Sequence, residues 1–351
     1  MPHVKNNNSR RVLVAPLDWG LGHATRCIPL IRRLLHDGHQ IFLAGSGPSG
    51  QLLRSEFPDL PYSEIPSHSV RYARSGRGFF WMILKQIPAL SEQIRSEKKW
   101  LQEFITTQPI DQIISDNRYG LHHHSTQNIL LTHQLGLRSG IGSWADQVLR
   151  WMLIRLLKHF HEIWIPDHED EPNLSGELGH PKYKPPVPVK YIGPLSRFTQ
   201  TNRSCIPKKI TVVLSGPEPQ RTLLEEKCLR ELNDWDGPVT IVRGLPNGSN
   251  TLQAPAHWKI SDHLSIDALE QEIEEAEHFI ARCGYSTLMD LAVLNKQAIL
   301  IPTPGQPEQE YLASRMKERS QYVIIDQQQD LREAVEIASR KSVADDKFAA
   351  R

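Results

Sequence analysis

From Arg11 onward the chain repeats one pattern: an apolar run of about five residues, a short glycine or polar break, then a longer segment with helical spacing. Runs that are apolar at every position bury both faces, as strands do in a parallel sheet covered by helices on both sides. The pattern therefore predicts βαβ units and an α/β fold. Right-handed crossovers then place every strand's carboxyl end on one edge of its sheet, where ligands of such sheets bind.

The first strand is read at Val12-Leu13-Val14-Ala15, followed by a loop from Pro16 to Gly22 and a helix from Ala24 to His36. Further strands are expected at Gln40–Ala44, Asp111–Ser115, Arg138–Ile141, Glu162–Ile165 and Lys190–Ile192. After Gly193-Pro194 the chain turns polar and aperiodic through Ser204, then restarts at Lys208-Lys209-Ile210-Thr211-Val212. The second series of strands is read at Ile210–Leu214, Val239–Val242, His257–Ile260, His278–Ala281, Ala298–Ile301 and Tyr322–Ile325. A chain of 351 residues exceeds what one hydrophobic core organises. The expected layout is an N-terminal domain over 1–195, a linker over 196–208, a C-terminal domain over 209–330, and a final helix over 331–351 that could cross back to the first domain. Two doubly wound, Rossmann-like domains of this kind would face each other across a cleft.

Charge and cysteine usage narrow the function classes. With 41 Lys+Arg against 40 Asp+Glu the formal charge is +1, which offers no extended field for coating nucleic acid. No run approaches the roughly 18 apolar residues that suggest a membrane span. The four cysteines, Cys27, Cys205, Cys228 and Cys283, form no CxxC pair, so neither a disulfide framework nor a structural zinc site is expected. The polar start MPHVKNNNSRR lacks a signal-peptide pattern, which makes the cytoplasm the expected location.

Motifs at strand-to-helix junctions carry the chemistry. In Asp18-Trp19-Gly20-Leu21-Gly22-His23-Ala24-Thr25-Arg26, Gly20 and Gly22 allow a sharp turn and close backbone approach, and His23 lies at a helix start on the ligand edge. In Arg282-Cys283-Gly284-Tyr285-Ser286-Thr287-Leu288-Met289-Asp290, Gly284 permits the turn, Ser286 or Thr287 can cap the helix, and first-turn amides can cradle a diphosphate. Arg282 can neutralise phosphate or form a surface ion pair. Asp290 can hold a ribose or close a capping box with Thr287. In Ile301-Pro302-Thr303-Pro304-Gly305-Gln306-Pro307-Glu308-Gln309-Glu310, prolines fix a loop ending in an amide and a carboxylate. That pair can grip sugar hydroxyls or simply favour the helix dipole.

The last two motifs in that spacing resemble the donor domain of family 28 glycosyltransferases, enzymes of the GT-B fold whose bacterial-wall member transfers N-acetylglucosamine. The likeness spans Leu264 to Ser320 and returns at Leu13 to Arg26. It implies that Gly284, Tyr285, Ser286 and Thr287 hold the donor diphosphate, and that Asp290 takes the ribose position of a family glutamate. It further places Gln309 and Glu310 at a donor-sugar Gln-Gln pair, and Leu264, Ser265 and Ile266 at the uracil-reading stretch. His23 takes the place of the loop histidine, the expected base, with Arg282 beside the leaving diphosphate. The GxGHxxR string of Gly20, Gly22, His23 and Arg26 is also similar to UDP-sugar hydrolases of nonulosonic-acid pathways. Ser215 to Gln220 lies at the family's other Gly-rich loop, where Pro217 and Pro219 remove amide donors.

The resemblance implies an inverting, metal-independent transferase that moves a hexose or N-acetylhexosamine from a UDP-sugar to a glycan or lipid-linked hydroxyl. The UDP-sugar is a co-substrate and no cofactor is required. A UDP-sugar hydrolase and a non-catalytic sugar-nucleotide-binding subunit are the alternatives. Asp116, Asn117 and Arg118 follow a strand on the ligand edge and suit either an acceptor contact or a strand-end turn. His122-His123-His124 reads as a solvated loop before a metal site, because consecutive side chains do not converge on one ion. The stretch Val148 to Phe160 is basic and amphipathic: it packs on the sheet or lies on the inner face of the cytoplasmic membrane. The acidic run Glu270 to Glu277 reads as a solvated helix face.

Overall fold

The computed structural model describes residues 9–18, 20–66, 79–136, 142–201, 203–245, 248 and 253–349. The chain forms two compact units, with the change at Arg197 and Phe198.

The N-terminal unit runs β1 (Arg11–Pro16), α1 (Leu21–His36), β2 (Gln40–Gly45), α2 (Gly47–Glu56), β3 (Tyr62–Glu64), α3 (Phe79–Thr107), β4 (Gln112–Asp116), β5 (Gln127–Leu131), α4 (Ser143–Leu157), β6 (Glu162–Ile165) and β7 (Val189–Tyr191). Its seven strands are parallel in the order β3-β2-β1-β4-β5-β6-β7. Val12, Leu13, Val14 and Ala15 are all fully buried, which is why an uninterrupted apolar run belongs at the centre of the sheet. The strand order reverses between β1 and β4, and Pro16 pairs with Asp116 at their carboxyl ends. A doubly wound sheet opens its crevice at such a reversal.

The C-terminal unit runs β8 (Ile206–Val213), α5 (Gln220–Glu231), β9 (Val239–Val242), β10 (Lys259–Ser261), α6 (Ile266–Glu275), β11 (Ala276–Arg282), α7 (Tyr285–Leu294), β12 (Ala298–Ile301), α8 (Pro307–Met316), β13 (Tyr322–Ile324) and α9 (Leu331–Ala349). Its six parallel strands follow β10-β9-β8-β11-β12-β13, with the reversal between β8 and β11. Helix α9 packs on its own unit through Leu331, Ala334 and Val335, which share a buried cluster with Ile299 and Val323.

The structure adds β3 and β5 to the expected strands. Both escape the pattern because β3, Tyr-Ser-Glu, has no apolar run and β5, Gln-Asn-Ile-Leu-Leu, opens on two amides. The strand expected at Arg138–Ile141 lies outside the described residues. Helix α1 begins at Leu21 rather than Ala24, which brings His23 into its first turn.

The acidic run is a correction. Glu270, Glu272 and Glu274 are 7%, 6% and 7% exposed, not solvated. Glu272 sits between Lys209 at 2.9 Å and Lys259 at 2.6 Å and accepts from the Thr240 hydroxyl. Glu270 accepts from the amide of Thr199 and Glu274 from that of Thr201, so the polar stretch after Gly193-Pro194 is fastened to α6. The carboxylates stand out in the sequence, but the buried Lys209, the exposed Lys259 and the amides of Thr199 and Thr201 that neutralise them come from other segments.

Candidate active site

In the N-terminal unit the two arms of the crevice are the loop after β1 and the carboxyl end of β4. Gly20 caps α1 at φ 132° and ψ 163°, a conformation nearly restricted to glycine. The turn aims the first turn of α1 at β4. His23 Nδ1 lies 3.0 Å from Asp116 Oδ1. Arg26, one turn further along the helix, donates from Nε to Asp116 Oδ2 at 2.7 Å and from Nη2 to Oδ1. Its Nη1 lies 3.1 Å from His133 Nδ1.

Asp116 is fully buried and Arg26 is 2% exposed, while the His23 side chain keeps 18% exposure. Burial alone would raise the Asp116 pKa, but the Arg26 and His23 charges and hydrogen bonds pull it far below the usual carboxylate range. The ionised carboxylate therefore sets the imidazole tautomer. His23 donates from Nδ1 to Asp116, which leaves Nε2, unpartnered among the described residues, as a proton acceptor. The 2.8 Å approach of Arg26 Nη2 to the same Nδ1 follows from both groups donating to one carboxylate oxygen, since two donors do not bond each other. A histidine held by a buried carboxylate through Nδ1 with Nε2 available is a general-base arrangement.

The neighbouring residues have structural tasks. Arg118, expected on the acceptor side, is fully buried and donates to the Pro16 carbonyl at 2.7 Å, Glu97 at 2.9 Å and the Ser46 hydroxyl at 2.9 Å, which fastens the loop after β1 to α2 and α3. It is thereby unavailable to an acceptor. Asn117 takes a left-handed turn at φ 55° with its Oδ1 buried and unpartnered, the strand-end turn. The carbonyl of Gly22 accepts from Thr25. Among the expected acceptor-side residues, Gly20, Gly22 and Asp116 line or shape the crevice, and Arg118 braces it.

In the C-terminal unit the loops after β8, β10, β11 and β12 all leave the carboxyl edge. Gly284 is the N-cap of α7 and, having no side chain, brings no cap of its own to the first turn, which opens at Tyr285, Ser286 and Thr287. A helix start capped by glycine, with its positive dipole end, is suited to an anion. Because Gly284 is the cap, Thr287 lies three positions inside the helix and not at the cap position that a capping box with Asp290 requires.

Arg282 is corrected from a diphosphate ligand to a scaffold residue. It is fully buried and donates to the carbonyls of Gln220 at 2.6 Å, Pro302 at 3.3 Å and Ile301 at 3.5 Å. Burial lowers its pKa to about 10, which leaves it charged at neutral pH. Gln309 is also turned inward, 6% exposed, with Oε1 accepting from the Thr303 amide at 2.9 Å. Glu310 is exposed and accepts from the Gly305 amide at 2.8 Å. Gln309 and Glu310 thus brace the Pro-rich loop. Ser265 caps α6 by accepting from Ala268, with Leu264 and Ile266 half-buried on either side.

Polar atoms that the motifs did not single out gather at the same edge. Thr303 is 3% exposed and its hydroxyl has no partner among the described residues, as is true of Gln220 Oε1 and Gln306 Oε1. Gly216, at φ 98° in the loop after β8, lies beside Thr303, where a Cβ would be in ordinary contact with the Thr303 hydroxyl at 3.5 Å. Buried oxygens left unpaired are uncommon, and three in adjoining loops mark a surface suited to hydroxyl or amide donors of a ligand. Elsewhere, His122 stacks on His159 with ring centroids 4.4 Å apart, and His123 bonds Ser125. Among the described residues no group of three His, Cys, Asp or Glu side chains is placed to hold a metal.

Two doubly wound parallel-sheet units, each with its crevice at the strand reversal, define the GT-B class of fold. Residues 258–350 match the glycosyltransferase family 28 C-terminal domain. No curated protein matches the chain by sequence. Solved structures match it over nearly its whole length. The glycotransferase of kitacinnamycin is 15% identical with a TM-score of 0.65, over 96% of this chain and 92% of that one. MurG of Acinetobacter baumannii is 12% identical with a TM-score of 0.54, over 96% and 90%. Spinosyn rhamnosyltransferase SpnG complexed with thymidine diphosphate is 14% identical with a TM-score of 0.62, over 97% and 96%. At these identities the likeness is one of fold: the chain has the GT-B fold, and its residues 258–350 are similar to the family 28 C-terminal domain.

Proposed function

We propose that this protein is an inverting glycosyltransferase that moves a hexose or N-acetylhexosamine from a UDP-sugar to a hydroxyl of a glycan or lipid-linked acceptor. The observation that carries the reading is the His23–Asp116 pair at the N-terminal crevice, since a protein that only binds has no use for an oriented base there. The family 28 match of residues 258–350 and the glycine-capped α7 start support a sugar-nucleotide donor. His23 Nε2 takes the acceptor hydroxyl proton as the oxygen attacks the anomeric carbon. The bond from that carbon to the diphosphate oxygen breaks, and UDP leaves with the bonding electrons. The α7 first turn at Ser286 and Thr287 offsets the charge developing on the diphosphate. No metal or cofactor is assigned a step, and UDP-sugar serves as co-substrate.

His23→Ala tests the base. Turnover is expected to fall roughly 10²–10⁴-fold with UDP binding nearly intact, and equal loss of both would refute the assignment. Thermal-shift screening of UDP, GDP and dTDP sugars identifies the donor, because a specific ligand raises stability as ln(1 + [L]/Kd). The GxGHxxR string, with Arg26 bonded into the same cluster, favours a second reading in which water replaces the acceptor. Sugar release without acceptor, as fast as with one, would select that hydrolase.

A further inference from the structure

Arg243 follows the carboxyl end of β9 and is 4% exposed. Its backbone N–H donates to the Ser261 carbonyl at 2.9 Å, and the Leu245 amide donates to the Asp262 carbonyl at 2.8 Å, so the two segments stay paired past the ends of β9 and β10. The side chain joins what lies on either hand. Nε donates to Glu225 Oε1 of α5 at 2.7 Å, and Nη1 donates to Asp262 Oδ1 at 2.6 Å. Glu225 Oε1 also accepts from Arg221 Nη1 at 3.2 Å, and Arg221 Nε donates to Glu218 Oε1 at 2.6 Å. Charges therefore alternate along the row Glu218, Arg221, Glu225, Arg243, Asp262. The three inner members are buried, while the two ends, in the loops after β8 and β10, keep 55% and 30% side-chain exposure.

We infer that Arg243 is a positioning residue of the donor site: it holds the loop after β10 against the loop after β8, so that both meet a nucleoside diphosphate at one fixed separation. The role rests on the sugar-nucleotide reading of the C-terminal unit given above. Both loops leave the carboxyl edge, where ligands of such sheets bind. Only His263 and Leu264 separate Asp262 from Ser265, the cap of α6, so a bond to Asp262 fixes where this short connection stands on the edge. A guanidinium that donates to two carboxylates sets angle as well as distance. Buried ion pairs add little net stability over well-packed apolar side chains, so stability alone does not account for a row of them, whereas a fixed geometry does. The segment after β9 is moulded on the same carboxylate: a Cβ at Gly248 would stand 2.8 Å from Asp262 Cγ, closer than such atoms approach.

The test is calorimetric titration of the full-length protein with UDP, GDP and dTDP, read on the nucleotide that wild type binds most tightly. Asp262→Ala removes the partly exposed end of the row and leaves Arg243 on Glu225. Its urea midpoint is expected to stay at the wild-type value while Kd rises roughly tenfold or more, the loss incurred when the ligand itself must order a loop. Asp262→Asn keeps an oxygen for Arg243 Nη1 and should bind within about threefold of wild type. Arg243→Met is expected to match Asp262→Ala, and the double variant to lose no more than either, because both act through one contact. The two Asp262 variants keep the test independent of whether Arg243→Met folds. Wild-type affinity in Asp262→Ala, equal losses in the Ala and Asn variants, or additive losses in the double variant would overturn the positioning role while nucleotide binding by wild type stands. Failure of wild type to bind any of the three nucleotides would overturn the donor reading itself, and the role with it.

Discussion

His23 and Asp116 are 93 residues apart in the chain and 3.0 Å apart in the fold, joined because β1 and β4 are neighbours and their carboxyl ends fall level. The same carboxylate holds Arg26, so one buried negative charge organises both the imidazole and the guanidinium one turn along the helix.

Asp116→Asn should therefore act twice. Turnover per folded molecule is expected to fall about 10²–10⁴-fold, because the amide no longer fixes the Nδ1–H tautomer. Stability in urea is expected to drop by about 3–5 kcal/mol, since the buried Arg26 loses the carboxylate that it grips with both Nε and Nη2. Adding Arg26→Met should restore much of the stability and none of the turnover.

Stability should also depend on pH through His122. Burial, with neighbouring His159, Lys98 and His123, lowers its pKa to about 4 from the ordinary 6.5. A histidine with a depressed folded pKa contributes stability that is fully present above pH 6.5 and is lost as the pH falls from there toward 4, because the unfolded chain binds its proton first. Urea midpoints across that window should decline more steeply for wild type than for His122→Phe, which keeps a ring to stack on His159.

At the C-terminal edge, Arg282→Ala is expected to cost about 2–4 kcal/mol by leaving buried carbonyls without their donor. Arg282→Lys should recover only part, because one ammonium cannot reproduce the guanidinium fork. Equilibrium unfolding monitored by tryptophan fluorescence measures both.

Thr303→Val separates scaffold from ligand. Its hydroxyl is buried and unpartnered, so the isosteric valine should leave stability unchanged or slightly raised. If the adjoining loops hold the donor, the same change should weaken nucleotide-sugar binding severalfold in calorimetry while His23→Ala does not.

The sequence revealed periodicity more readily than pairing. Both sheets and their carboxyl edges follow from apolar runs such as Val12–Ala15 and Ala298–Ile301, because complete burial makes a strand continuous in hydrophobicity. His23 stood out as a helix-start residue, and Asp116 as a strand-end residue, but nothing local to either indicated that they meet. That contact is a product of strand order. Arg118 and Arg282 were misread for a related reason: a charged residue at a ligand edge suggests a ligand, and only the fold supplies the carbonyls and carboxylates that bury it. The acidic run of α6 misled in the same way, since its partners Lys209, Thr199 and Thr201 arrive from more than 60 residues earlier, as the pairs with Glu272, Glu270 and Glu274 show.

Among the described residues, Arg282 grips two segments of the C-terminal edge by three carbonyls and by no side chain. Every amino acid supplies a carbonyl, so the fastening is indifferent to which residues stand at 220, 301 and 302. The side chains that meet a ligand can change while the frame that presents them stays fixed. A single buried arginine thus separates evolvability from foldability: substrate preference can drift through loop substitutions without each change having to rebuild the edge of the sheet.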